Sequence, residues 1–116
     1  MDERIKKWLC DIVQSAEEIE GFFENEKRDF FEYRSNVMLK RAVERNLEII
    51  GEAMNRILTR DSSFEIRITK AKSIIGLRNQ VIHAYDSISD ENIWSILINH
   101  LPILSAEVRA ILDAEE

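Results

Sequence analysis

Apolar residues recur at intervals of three and four along most of the chain. In the first stretch Ile5, Trp8, Leu9, Ile12, Val13, Ala16, Ile19 and Phe23 fall on one face, with Asp11, Glu17, Glu18 and Glu20 in other positions. That period predicts an amphipathic helix. A second run, from about Phe31 to about Leu58, repeats it with Val37, Val43, Leu47, Ile50, Met54 and Ile57. It ends in the polar cluster Thr59-Arg60-Asp61-Ser62-Ser63, which reads as a loop. A third helix is expected from Thr69 to about Tyr85, with Ile74, Leu77, Val81 and Ile82 as its apolar set. The stretch Asp86–Asp90 offers several N-caps, and Ser89 or Asp90 is best placed to start the last helix. That helix carries Ile93, Trp94, Leu97, Leu101, Leu104, Val108 and Ile111, and Pro102 inside it should kink or split it.

Four amphipathic helices with short connections and no strand signal imply an all-α fold, an up-and-down four-helix bundle. A chain of 116 residues has room for one core, so residues 1–116 form a single domain. Ile49-Ile50-Gly51 and Ile74-Ile75-Gly76 are a small repetition. Glycine inside a helix costs ~1 kcal/mol against alanine, so the pair suggests close approach of neighbouring backbones. Cys10 is the one cysteine and cannot form an internal disulfide, which fits a reducing compartment. No window reads as a run of ~20 apolar residues, and the start lacks an apolar signal region. The expectation is a soluble, cytoplasmic protein with no membrane partner.

Charge adds a local detail. The net charge of −6 argues against a general nucleic-acid coat. Yet between Glu65 and Asp86 there is no acidic residue, while Arg67, Lys70, Lys72 and Arg78 add four positive charges. The rest of the chain then carries −10, twelve basic residues against twenty-two acidic. One cationic segment in an acidic body fits a local anion site; a chance gap in acid placement is the plain alternative.

The chemistry-bearing residues are few. Cys10 has no histidine near it in sequence, no nucleophile elbow or phosphate-binding glycine loop occurs, and two histidines with one cysteine cannot supply a tetrahedral metal set. His100 reads as a structural or surface residue. The run Arg78–Tyr85 differs, because it gathers a permanent cation (Arg78), an amide (Asn79), an imidazole (His83) and a phenol (Tyr85) within eight residues. An imidazole can take the proton of a ribose 2′-hydroxyl or return one to a leaving oxygen. A guanidinium can clamp the phosphate and stabilise the charge that develops on it. The competing account is a helix end with a capping histidine and an ordinary surface arginine.

Helical geometry sharpens the choice. At ~100° per residue Asn79 and His83 share a face, as do Arg78 and Tyr85, but Arg78 and His83 lie ~140° apart. A straight, isolated helix does not bring both onto one phosphate. Either the helix unwinds near His83, or a second copy of the segment completes the site across a two-fold axis.

The chain resembles the HepT-like branch of the HEPN superfamily, the toxin half of HepT–MntA toxin–antitoxin pairs in bacteria and archaea. The likeness runs from Arg41-Ala-Val-Glu-Arg-Asn-Leu-Glu-Ile-Ile-Gly-Glu-Ala53 to Leu101-Pro-Ile-Leu104. Its most specific part is similar to the family's Arg-x4-His-x-Tyr motif, here Arg78, His83 and Tyr85, with Asn92-Ile-Trp94 downstream. The resemblance implies a dimerising four-helix bundle and a metal-independent endoribonuclease site at the dimer cleft. Arg78 and His83 would match the catalytic pair, and Asn79 the polar residue that follows the arginine. Tyr85 would match the tyrosine that an MntA-like minimal nucleotidyltransferase antitoxin modifies with AMP. The implied partners are an RNA substrate, a second copy and that antitoxin, with a higher hetero-oligomer as an extension of the same pairing; no cofactor is implied. Where family members carry a Pro-x-Trp-like element, this chain reads Glu65-Ile-Arg-Ile-Thr-Lys-Ala-Lys72. A reading of another class keeps the partners but not the chemistry: a non-catalytic RNA- or nucleotide-binding module that pairs with the nucleotidyltransferase.

Overall fold

The computed structural model describes residues 1–23, 29–76 and 89–115, and every regular element among them is helical. In chain order these are α1 (Glu3–Phe22), α2 (Phe30–Ser35), α3 (Val37–Arg60), α4 (Phe64–Arg67) and α5, described over 71–76. There follow α6 (Asp90–Ser95), a π-helical turn (Ile96–His100) and α7 (Leu101–Ala114). The architecture is the expected all-α bundle. Helix α1 packs along α3 and against α7, and α2 and α4 lean on α3.

The sequence periodicity explains the core. Ile5, Leu9, Ile12, Ala16 and Ile19 of α1 are buried, as are Val43, Leu47, Ile50, Met54 and Ile57 of α3. Ile93, Leu97, Leu101, Leu104, Val108 and Ile111 supply the third stripe. Each large side chain taken fully out of water contributes roughly 1.5–3 kcal/mol. Polar caps fix where the helices start. The Asp2 carboxylate accepts hydrogen bonds from the backbone N–H groups of Arg4 at 2.8 Å and Ile5 at 3.2 Å. Its other oxygen accepts from Arg60 Nε at 2.9 Å, which ties the start of α1 to the end of α3.

Three expectations change, and a fourth is met in a particular form. The second run is two helices, not one, because the chain is extended at Asn36 (φ −103°, ψ 96°) and the Asn36 side chain accepts from Leu39 N–H at 3.0 Å. Local capping of this kind competes with helix continuation. Val37, placed on the apolar face by its spacing, is therefore in a first turn and 61% exposed. Gly76 makes no close approach, since a Cβ built there would meet nothing within 4 Å. Around Pro102 the last helix is divided, as expected, but by a π-helical turn that ends just before the proline, which stands in the first turn of α7. Pro102 has no N–H to donate to Ile98, and the π-helical turn just before it has already moved the pattern on: Leu101 N–H donates to Ile96 C=O. Finally, the helix Asp90–Ala114 is long and apolar enough to cross a membrane by length and composition, which the sequence reading did not give. In the fold its apolar stripe lies in the bundle core.

Tyr33 is the largest fully buried side chain, and its hydroxyl has no hydrogen-bond partner among the described residues. Burial pushes the phenol's pKa well up, and the Glu44 and Asp90 carboxylates push it further. Removing an unpaired buried hydroxyl removes a desolvation cost. Tyr33→Phe should therefore leave stability to urea unchanged or raise it by up to about 1 kcal/mol; a clear loss would mean that the hydroxyl has a partner. The Arg60 hydrogen bond holds the Asp2 carboxyl below the ordinary aspartate range, helped by the capping amides. The stability this contributes is present above that ordinary range and is lost as pH falls through the lowered value. An NMR titration should give Asp2 a depressed midpoint, and Arg60→Ala should move it back up.

Candidate functional site

Arg78, Asn79, His83 and Tyr85 all lie in the stretch 77–88, outside the described residues. The described residues fix what stands on either side of it. On the entry side Ile68, Ala71 and Ile74 are buried, so α5 is anchored in the core up to two residues before Gly76. Thr69 is held as well: its N–H and its hydroxyl both donate to the Glu107 carboxylate of α7, the hydroxyl at 2.9 Å. The third helix thus begins at 71 and not at Thr69, which is spent in a turn against α7.

On the exit side the expected cap is present. Ser89 is the N-cap of α6, and its Oγ accepts from Asn92 N–H at 3.1 Å. Asp90 in the first turn meets Lys40 Nζ at 3.1 Å, a half-buried pair that pins the start of α6 to the first turn of α3. Beneath it Trp94 packs at 5.4 Å from Tyr33 and edge-on to Phe23 and Phe30, at 5.9 and 6.0 Å. Lys40 and Tyr33 were not singled out from sequence, and Asp90 was named only as the alternative N-cap. Lys40 and Asp90 stand fifty residues apart, and no local pattern joins them.

The cationic segment is less bare than its sequence suggests. Lys72 Nζ is 3.0 Å from Glu65, the acid that closes the acid-free run, and the Arg67 guanidinium lies over the Phe64 ring at 4.7 Å. Lys70 is half-buried, next to the turn. Two of the four positive charges are thus engaged locally. A groove of about 480 Å³ between α1 and α3, lined by Trp8, Arg45, Glu48, Glu52 and Arg56 among others, offers no alternative anion site. Its arginines face acids of their own helix, Arg45–Glu48 at 3.3 Å and Arg56–Glu52 at 3.2 Å. Cys10 is exposed on α1, and the Nδ1 atom of half-buried His100 is buried without a partner among the described residues.

Comparison with known proteins supplies what this frame cannot. The profile of a family described as Ribonuclease HepT-like matches residues 12–111, a span that holds the whole Arg78–Tyr85 run. The protein named Putative RNase MJ1380, from Methanocaldococcus jannaschii, is 35% identical over 107 residues, covering 92% of this chain and 95% of that protein. Putative RNase MJ0125 of the same organism is 31% identical over 113 residues, with 97% and 95% covered. Putative RNase TTE0752, from Caldanaerobacter subterraneus, is 33% identical over 89 residues, with 75% and 77% covered. No solved structure gives a significant match.

If the cap and the ion pair hold the exit side, each should be measurable alone. Ser89→Ala should cost about 1 kcal/mol of stability to urea. Lys40→Met should cost a similar amount by leaving the half-buried Asp90 unpaired. Both should speed amide exchange in 90–95 and leave α1 unchanged.

Proposed function

Because the chain belongs to the HepT-like ribonuclease family, we propose that it is the toxin of a toxin–antitoxin pair and acts as a metal-independent endoribonuclease. The observation that carries this reading is the Arg78-x4-His83-x-Tyr85 spacing inside the matched span. His83 takes the proton of a ribose 2′-hydroxyl, and that oxygen attacks the adjacent phosphorus. The bond to the 5′-oxygen breaks, and the leaving oxygen receives a proton, giving a 2′,3′-cyclic phosphate and a 5′-hydroxyl. Arg78 holds the phosphate and stabilises its charge in the transition state, and Asn79 orients one of the pair by hydrogen bonding. The ~140° between Arg78 and His83 on a straight helix favours a site shared by two copies, in which a second imidazole is at hand to protonate the leaving oxygen.

Regulation follows from the same helix. An MntA-like nucleotidyltransferase would transfer AMP from ATP to the Tyr85 phenol oxygen, with pyrophosphate leaving. A bulky anion on the face shared with Arg78 then blocks RNA by occupancy and repulsion. The acidic body, at −6 overall, favours the binding-module alternative to a degree, since a nucleic-acid surface is ordinarily basic.

The test separates the two. Antitoxin-free protein in EDTA is incubated with mixed tRNA and mRNA beside its Arg78→Ala and His83→Ala variants. Cleavage by the parent, ending in cyclic phosphates and falling at least ~100-fold in both folded variants, is expected. Full activity in His83→Ala would sink the assignment. No cleavage by a parent whose intact mass shows unmodified Tyr85 would favour the binding module.

A further inference from the structure

Trp8 belongs by its spacing to the apolar stripe of α1, yet it is half-buried where its neighbours Ile5, Leu9 and Ile12 are buried. Its indole lines the α1–α3 groove of about 480 Å³ and a second cavity of about 480 Å³ that continues toward Arg60. The two cavities share Trp8 and Arg56, so together they make one trough beside α3 from Arg45 to Arg60. At 1.5 Å per residue that stretch of helix is ~22 Å long. Half-buried Ile49 and buried Ala53 add apolar surface next to the indole. A partly exposed tryptophan in a concave, partly apolar setting is the kind of residue that anchors a partner.

The charges around Trp8 stand in two layers. The carboxylates of Asp11, Glu48 and Glu52 are the sheltered layer, with side chains 34%, 26% and 36% exposed. The bases that meet them reach outward: Lys7 and Arg45 are each 71% exposed and Arg56 is 56% exposed. Ion pairs of that exposure contribute little, so the long basic side chains can swing aside while the short acids stay. An incoming anion would then face carboxylates, and a wholly apolar partner would bury them unpaired at a cost. A guanidinium suits both neighbours. It is planar and stacks on an indole, and its fork of N–H donors matches carboxylates on either side. The net charge of −6 draws a basic partner from a distance.

We infer that the α1–α3 trough is a docking site for a basic segment of another protein, which lays an arginine on the Trp8 indole between the carboxylates of Asp11, Glu48 and Glu52. A trough of ~22 Å takes six or seven residues of extended chain, and Ile49 and Ala53 meet the apolar neighbours of that arginine. The site is built from α1 and α3 alone, so it does not depend on whether the chain cuts RNA.

Trp8 is its own reporter. The full chain is titrated with short alanine-based peptides that differ only in carrying a pair of arginines, of lysines or of glutamates. The arginine peptide should change tryptophan emission saturably, the lysine peptide should bind more weakly, and the glutamate peptide should not bind up to about 1 mM. Trp8→Phe should abolish the change, which separates it from Trp94. Asp11→Asn and Glu48→Gln should each weaken binding at least ~fivefold with unchanged helicity and melting. Arg45→Gln should tighten it ~two- to fivefold by freeing Glu48, whereas the same charge change in Arg34→Gln, on α2, should not; a merely structural Arg45–Glu48 pair predicts no difference between them. No binding of the arginine peptide at about 1 mM, equal binding of the glutamate peptide, or indifference to both carboxylate variants would overturn the inference. Spermine bound as tightly as the arginine peptide would overturn it too and make the trough a polyamine site. A single-stranded RNA oligonucleotide that quenches Trp8 and still binds Glu48→Gln in full would overturn it in favour of an RNA surface.

Discussion

Everything described here depends on the burial of two apolar stripes against each other, those of α1 and α3. These are the two longest unbroken α-helices among the described residues, and they supply eleven members of one contiguous core. Most helical stability in proteins comes from packing of an amphipathic face, so their persistence comes from that mutual burial more than from propensity. Once α1 and α3 are fixed, α7 has a groove to fill and α5 a floor to rest on. The segment with the candidate chemistry then has fixed neighbours at both ends.

The polar contacts act as fasteners on that core, and each works at an element end. Asp2 joins the head of α1 to the tail of α3 through Arg60, Thr69 is tied to α7 through Glu107, and Lys40 joins α3 to α6 through Asp90. None would hold a helix pair by itself, since ion pairs of this exposure contribute little. Their value is in setting register. In a protein whose proposed chemistry needs an arginine and an imidazole on one phosphate, register at the two ends of a twelve-residue stretch matters more than depth of burial.

How much of this could be read from the residues alone varies by element. The stripes of α1 and of the last helix were legible because nearly every member is buried, and Ser89 was legible because a serine before an acidic first turn has one obvious use. The break at Asn36 was not, since apolar residues continue on both sides of it and only the Asn36 side chain folding back on Leu39 N–H marks where one helix stops and the next starts. The Lys40–Asp90 pair was invisible because tertiary contacts leave no periodic trace. Arg78, His83 and Tyr85 were legible as residue types and as a spacing, which the family profile then overlapped. Their mutual geometry was never a property of spacing, because the ~140° between Arg78 and His83 has to be resolved by a bend or a second chain.

The π-helical turn at Ile96–His100 has a consequence for how this helix can change over evolutionary time. The buried positions step by four twice, from Ile93 to Leu97 to Leu101, before settling into the alternation of threes and fours from Leu104 onward. An α-helix would let such a stripe drift around its axis, and the wider turn takes up the drift with one extra residue. A relative lacking one residue between Leu97 and Leu101 would keep the same face buried in an unbroken α-helix, but Pro102 would then sit in a helix interior, where it costs ~3 kcal/mol. Helix length and the identity of the residue at 102 are therefore coupled, and shortening by one residue is open only to a chain that has first given up the proline.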